Sequence, residues 1–450
     1  MQTQNERSWL ERGLSVAAEV RAGEGRGVVM LGLNVFLLML AYYLLKTVRD
    51  ALILAEQGAE IKSYSSAFQA VLFLGIVPAY AAFASRVNRI RLITWVTFFF
   101  ISNLLLFAAF GKSGVREGIV FFVWVGIFNM LVMAQFWGFA NDLHTEASGK
   151  RLFPVIMLGA SLGAVAGGQI ASLLFARLGA YGLMLLSAGL LVVCVVISRW
   201  IHFHAGSEPA LRGSSLAQTP LTKKGVLELF AGDRYLQLLA ALMVVLNIVN
   251  TNGEYVLGKF VASEAVRIVG SDVAARTVFI GQFMGSFSSL YSTLGLLLQM
   301  FVVSRVFRYI GVAGALFVLP VIALGGYSLM IVLPILQVVR WAKIVENGTD
   351  YSLQNTTRQA LFLPTSREAK YKAKAAIDTF FVRSGDMLQA GLVFAGTTWL
   401  SLGITGFAAI NVSLTLVWLA VAAGVAREYR LRTETAKIVA PSTVADAATV

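Results

Sequence analysis

Five basic side chains lie inside stretches too apolar to be loops: Lys46, Arg49, Arg340, Lys343 and Arg383. An ionised group at the centre of a bilayer costs on the order of 3 kcal/mol even on lenient insertion scales, so each needs a carboxylate partner, a water-filled cavity or a bound anion. Lys46, Arg49 and Asp50 are one helical turn apart and share a face. Asn247, Asn250, Thr251 and Glu254 recur at i, i+3, i+4 and i+7, a polar stripe on an otherwise apolar helix. Arg340, Lys343, Asn347, Asp350 and Gln354 form a third stripe, and Lys374, Asp378, Arg383 and Asp386 a less regular fourth. Together the stripes describe a hydrophilic path through apolar surroundings. Arg grips phosphate oxygens in pairs and Lys adds point charge, so this basic set suits a multiply charged anion. Single pairs, such as Arg49 with Glu254 or Lys343 with Asp378, could instead be salt bridges that hold a gate closed.

The elements that must hold these residues follow from composition. Of 450 residues, 57% are hydrophobic and only 14% charged, a balance that leaves very large apolar patches on any water-facing fold. The chain therefore reads as an all-α polytopic membrane protein. Runs of about 20 residues, the length that crosses roughly 30 Å of hydrocarbon, fall near 28–50, 64–84, 91–110, 118–140, 152–176, 180–200, 234–256, 276–303, 309–333, 335–360, 374–399 and 403–426. Twelve transmembrane helices are thus expected, the tenth being the most polar. With the N-terminus inside, twenty-five Lys and Arg fall in the tails and even-numbered loops and seven in the opposite loops, which predicts that both termini are cytoplasmic. The same count accounts for most of the +13 net charge without nucleic acid as a partner. No h-region with a small-residue cleavage site precedes the first span, so that span is expected to act as the targeting signal.

Pro, Gly and Ser cluster in the polar interruption at 204–233, which is expected to be a cytoplasmic linker between bundles at 28–203 and 234–427, with tails at 1–27 and 428–450. The tail at 1–27 could be an interfacial helix or disordered. "SRVNR" at 85–89 and "SRVFR" at 304–308 follow the second span of each half, an offset of 219 that also relates Arg151 to Lys370. Parallel six-helix pseudo-repeats of this kind place a binding site near mid-membrane between the halves.

Other motifs point away from catalysis. In "LGASLGAVAGGQ" (158–169), Gly159, Gly163 and Gly167 recur every four residues, which allows close helix packing; no Lys-Ser/Thr follows, so it is not a phosphate-binding loop. His144, His202 and His204 lie at expected membrane edges without carboxylates at metal-ligand spacing. The single Cys194 excludes an intrachain disulfide and a dithiol couple. Neither a nucleophile-base arrangement nor a nucleotide-hydrolysis motif is present, so no enzyme and no cofactor are expected.

Several stretches resemble one family. "YYLLKTVRDALIL" (42–54), "FWGFANDLHTEASGKRLFP" (136–154), "DYSLQNTTRQALFLP" (350–364) and "EAKYKAKAAID" (368–378) are similar to the ATP/ADP translocases of intracellular bacteria and plastids, a resemblance that covers nearly all of the membrane portion. It implies a major-facilitator-like fold and alternating-access exchange of ATP for ADP, or of a related phosphorylated anion, across a bacterial inner membrane. The family's basic residue in the first span falls on Arg49, followed by Asp50; its acidic residue in span seven falls on Glu254; one of its lysines falls among Lys370, Lys372 and Lys374, with Lys374 nearest the membrane. The chain departs from the pattern at Ala147-Ser148-Gly149, where the family shows an acidic residue and Ala before Lys-Arg. The glycine stretch is also similar to the antiporter motif of major facilitator exporters, with Ala164 in place of its proline. The expected substrate-binding set is Lys46, Arg49, Arg340, Lys343, Asn347, Lys374 and Arg383, and the expected gating and coupling set is Asp50, Glu254 and Asp378. The alternatives are proton-coupled transport of another organic anion, with Glu254 or Asp50 taking the proton, and a membrane sensor or scaffold that no longer transports. Oligomeric state is not legible.

Overall fold

The computed structural model describes residues 20–21, 24–84, 86–205, 226–366 and 369–446. The expected linker and the N-terminal tail fall largely outside these residues. Helix α1 (Gly25–Glu56) is followed by α2 (Gly58–Ala84), α3 (Arg89–Lys112), α4 (Gly118–Leu143) and α5 (Glu146–Ala205). A short α6 (Val226–Ala231) leads to α7 (Arg234–Val269), α8 (Val273–Phe301), α9 (Val303–Ala315), α10 (Val318–Val332) and α11 (Leu336–Thr349). The chain then alternates π-helical and α-helical turns, with α12 (Asn355–Leu361) and α13 (Lys374–Ala376) between them, before α14 (Val382–Thr398) and α15 (Ile404–Asp446). Among the described residues there are no strands.

Among the described residues, seven helices are long and apolar enough to cross a membrane, eight if the pair α8 and α9, bent by 77°, is one span. One of the seven is α5, 60 residues long, in which Gly179 adopts φ 66° and divides two arms. That left-handed conformation is open to glycine at little cost and disfavoured for residues with a Cβ. All twelve expected runs are helical over most of their length, but those at 335–360 and 374–399 are broken by π-helical turns at Asp350–Gln354 and Ile377–Phe381 and carry several charges. They fall short of the apolarity that the other spans show, because they hold the polar stripes.

Two compact units divide the fold. The first gathers the described residues within Met1–Gly58, Val71–Ala217 and Ala265–Ser292; the second gathers those within Ala59–Ala70, Gln218–Glu264 and Thr293–Val450. In the first, the glycine repeat of α5 lies against α1. A Cβ on Gly159, Gly163 or Gly167 would stand 2.3, 2.3 or 2.7 Å from the carbonyl oxygens of Gly32, Phe36 and Leu40 in turn. Small residues at that spacing let two backbones approach where side chains of ordinary size would separate them. The second arm of α5 fastens to α1 by polar contacts: Asn34 Nδ2 donates to Cys194 O and to Ser198 Oγ, each at 2.9 Å. Asn88 caps α3 by accepting from Ile90 N at 3.1 Å. Helix α3 then packs on α4 through Phe100 and Phe107, which meet Trp124 edge-on at 5.4 and 5.5 Å.

Gly163→Ala should lower stability by about 1–3 kcal/mol, because the added methyl meets a backbone carbonyl that cannot move aside. Gly189→Ala, on the second arm with no atom within 4 Å of its Cβ, should be neutral or gain up to about 1 kcal/mol from helix propensity. Unfolding of both variants in detergent, compared with the unsubstituted chain, checks the difference.

Candidate functional site

In the first unit, Lys46, Arg49 and Asp50 lie in the last third of α1, and the helix continues six residues beyond Asp50 to Glu56. Lys46 Nζ donates to the Tyr291 hydroxyl of α8 at 2.8 Å and lies 5.3 Å from the ring centres of both Tyr43 and Tyr291. Arg49 bonds its neighbour Asp50, Nη2 at 2.9 Å and Nε at 3.1 Å from Oδ1, and its guanidinium lies 4.6 Å from the centre of the Phe122 ring. Asp50 is buried, so its charge requires a cation beside it. Aromatic faces stabilise the cations further, by about 0.5–2 kcal/mol for a contact of this kind.

In the second unit, Lys343 of α11 is fully buried. Its Nζ stands 3.1 Å from Glu346 and 3.7 Å from Glu254 of α7, and it donates to Asn250 Oδ1 at 3.2 Å. Asn347 Nδ2 donates to Glu254 Oε1 at 2.9 Å, so the stripes of α7 and α11 face one another. The Tyr327 hydroxyl of α10 lies 2.9 Å from Glu346 Oε2. Gly253 makes room for this cluster: a Cβ there would stand 2.0 Å from the Tyr327 oxygen and 2.9 Å from Lys343 Nζ. One lysine thus serves two carboxylates. Arg340 is half-buried one turn earlier on α11.

Two further pairs lie in the same unit. Lys374 Nζ donates to Asp378 at 2.7 Å, and Arg383 Nη1 to Asp386 at 3.1 Å. Asp386 also accepts from Asn247 Nδ2 at 2.8 Å, which joins α14 to α7. In place of the alternative pairing of Lys343 with Asp378, Lys343 takes Glu346 and Glu254, and Asp378 takes Lys374 one turn away. Arg49 bonds Asp50 within the first unit, and Glu254 bonds Asn347 within the second. Glu346 lies one turn from Lys343 on the same helix, as Asp378 lies one turn from Lys374.

Sequence reasoning missed the aromatic partners Tyr43, Tyr291 and Phe122, and it missed Tyr327. A hydroxyl inside the apolar run 318–332 was the available signal, since a buried tyrosine needs a hydrogen-bond partner. Also missed was a cluster in the second unit in which Glu60 Oε1 accepts from Lys259 Nζ at 2.8 Å and from the Tyr255 hydroxyl at 2.9 Å. His204 stacks on Trp200 at 4.2 Å.

Long apolar helices with buried ion pairs define a multi-pass helical membrane protein. Two solved structures share its fold: the nucleoside transporter NupG, with TM-score 0.60 at 12% identity over 90% of this chain and 99% of that one, and a POT family transporter in complex with 5-aminolevulinic acid, with TM-score 0.62 at 15% identity over 89% and 96%. The sequence profile described as TLC ATP/ADP transporter matches residues 118–429, and the chain belongs to that family. The match includes Glu254, Lys343, Lys374 and Arg383 and begins after Arg49. ADP,ATP carrier protein 1 of Chlamydia muridarum is 26% identical over 366 residues, 68% of this chain and 66% of that protein. The protein of the same description from Chlamydia pneumoniae is 25% identical over 308 residues, 59% of this chain and 58% of its own length. The match therefore spans about two thirds or less of these relatives.

Lys343→Met should cost about 3–5 kcal/mol, because it leaves Glu346 buried without its cation. Adding Glu346→Gln should restore more than half of that loss. A double-mutant cycle on unfolding in detergent reads the coupling, and additive effects would show that the pair does not interact.

Proposed function

We propose that this protein is an antiporter that exchanges nucleotides, ATP for ADP or a related phosphorylated anion, across a bacterial inner membrane by alternating access. Family membership supports the reading, and the observation that carries it is a set of intramembrane cations on several helices, of which Lys46, Arg49, Lys343, Lys374 and Arg383 each lie beside an acidic or aromatic partner. Arg49, Lys46, Lys343, Arg340, Lys374 and Arg383 supply positive charge to phosphate oxygens; Arg offers paired donors and Lys a point charge. Asp50, Glu254 and Asp378 hold those cations when no anion is bound, so binding and release of the ion pairs are linked. Twelve spans in bundles at 28–203 and 234–427, with both termini cytoplasmic, complete the proposal. Catalysis has no part in it.

One observation favours a second reading. Lys343 faces both Glu254 and Glu346, so with both carboxylates ionised the cluster carries an excess negative charge. That excess suits a proton as the coupling ion, with Glu254 as its acceptor.

Purified protein in liposomes loaded with ADP and given labelled ATP outside separates the readings. Uptake that requires internal nucleotide supports exchange, uptake driven by a pH gradient without internal nucleotide supports proton coupling, and neither binding nor uptake of any nucleotide would remove the leading proposal. Arg49→Ala and Glu254→Ala should each lower exchange at least about tenfold, the equivalent of roughly 1.4 kcal/mol, while the protein still inserts. Near-normal exchange in either variant would place that residue outside the mechanism.

A further inference from the structure

The segment between α3 and α4 holds a carboxyl group that the proposed exchange does not use. Glu117 is only 5% exposed, and both of its carboxyl oxygens lack a hydrogen-bond partner among the described residues. A buried carboxylate in that setting is strongly disfavoured, whereas the neutral acid is tolerated. The groups facing it add to the difficulty. From the end of α1, Glu56 Oε2 accepts from the Gly118 amide at 3.0 Å, and a Cβ on Gly118 would stand 2.9 Å from that oxygen, so two carboxyls crowd the same helix start. From the second arm of α5, Tyr181 packs its ring onto Gly111 and lies within electrostatic reach of both acids. The nearby cation, Arg116, is exposed and acts on Glu56.

We propose that Glu117 is a proton-binding site that latches the end of α1 to the start of α4. Protonated, it lets the joint pack as observed; ionised, it repels Glu56 and seeks water, and the joint opens. Burial first, and the charge of Glu56 second, push the Glu117 carboxyl up to about 7. The sign follows: the packed joint binds the proton more tightly than an open one in which the carboxyl has its ordinary value of 4.5. The latch is therefore strongest at low pH and weakens as pH rises, about tenfold per unit, until the packed-state value is passed. Because α1 carries Lys46, Arg49 and Asp50 within its last eleven residues, the latch sets how firmly that cation set is held.

Hydrogen exchange of the full-length protein in lipid nanodiscs tests this without any transported substrate, so its outcome is independent of the liposome assay. Amides of residues 112–121, corrected for intrinsic exchange, should open about tenfold more readily per pH unit between roughly pH 5 and 7 and level off above. Glu117→Gln should remove this dependence and leave the joint closed, and Glu56→Gln should move the midpoint to lower pH. Opening that does not vary with pH in the unsubstituted protein, or the same dependence in Glu117→Gln, would overturn the proposal. Should Glu117→Gln not fold, an unchanged midpoint in Glu56→Gln would overturn it equally.

Discussion

Pairing of charge in a low-dielectric interior is the constraint on which the rest of this structure depends. An isolated ion there costs several kcal/mol, and the cost is offset only when an opposite charge and further hydrogen bonds stand close by. Arg49 with Asp50, Lys343 with Glu346 and Glu254, Lys374 with Asp378 and Arg383 with Asp386 all obey it. Lys46 takes a hydroxyl and two aromatic rings. The constraint also explains the interruptions in helical geometry. Between Asp350 and Phe381 the described residues make three π-helical turns, which carry Asp350, Lys370, Lys372 and Asp378. Wider turns re-aim polar side chains that regular α-geometry would direct elsewhere.

Close packing positions these charges. Helix α1 can bring Lys46 and Arg49 beside aromatic partners only because its backbone is held against α5 by Gly159, Gly163 and Gly167. A side chain at any of the three would push the helices apart by more than the tolerance of a hydrogen bond. The second unit uses the same device locally: Gly253 leaves space for the Tyr327 hydroxyl and Lys343 Nζ in one turn of α7. Charge placement here is thus a consequence of missing side chains as much as of those present.

Much of this was legible in the sequence. Helical periodicity located the stripes of Asn247–Glu254 and Arg340–Gln354, and the structure sets Asn250 and Glu254 against Lys343 and Asn347. The four-residue glycine spacing in 158–169 was read as helix packing, which the contacts with α1 bear out. Family membership, read from motifs such as 350–364 and 368–378, agrees with the profile match. Partner choice was not legible. Periodicity states which residues share a face but not which helix lies opposite, so Glu346 and Tyr327 went unassigned to Lys343. Aromatic partners such as Phe122 were invisible for a different reason: in an apolar helix rich in Phe, nothing distinguishes the ring that meets a guanidinium from those that meet lipid. The runs at 335–360 and 374–399 were counted as spans from the sequence, and in the structure π-helical turns interrupt both.

The stoichiometry of the pairs bears on how any anion could bind. Arg49 and Asp50 are adjacent on one helix, so the carboxylate cannot leave its cation without water or another anion taking its place. At Lys343 two carboxylates compete for one ammonium group, and an incoming anion meets repulsion unless one of them is protonated or turns away. The free energy of anion binding is then a difference between two similar pairings rather than the full attraction of unpaired cations. A small difference permits release as readily as capture, and these pairs neutralise their own cations. Such self-neutralised cations suit a site that must let go of what it holds, whereas a rigid cluster of uncompensated arginines would bind a phosphate and keep it.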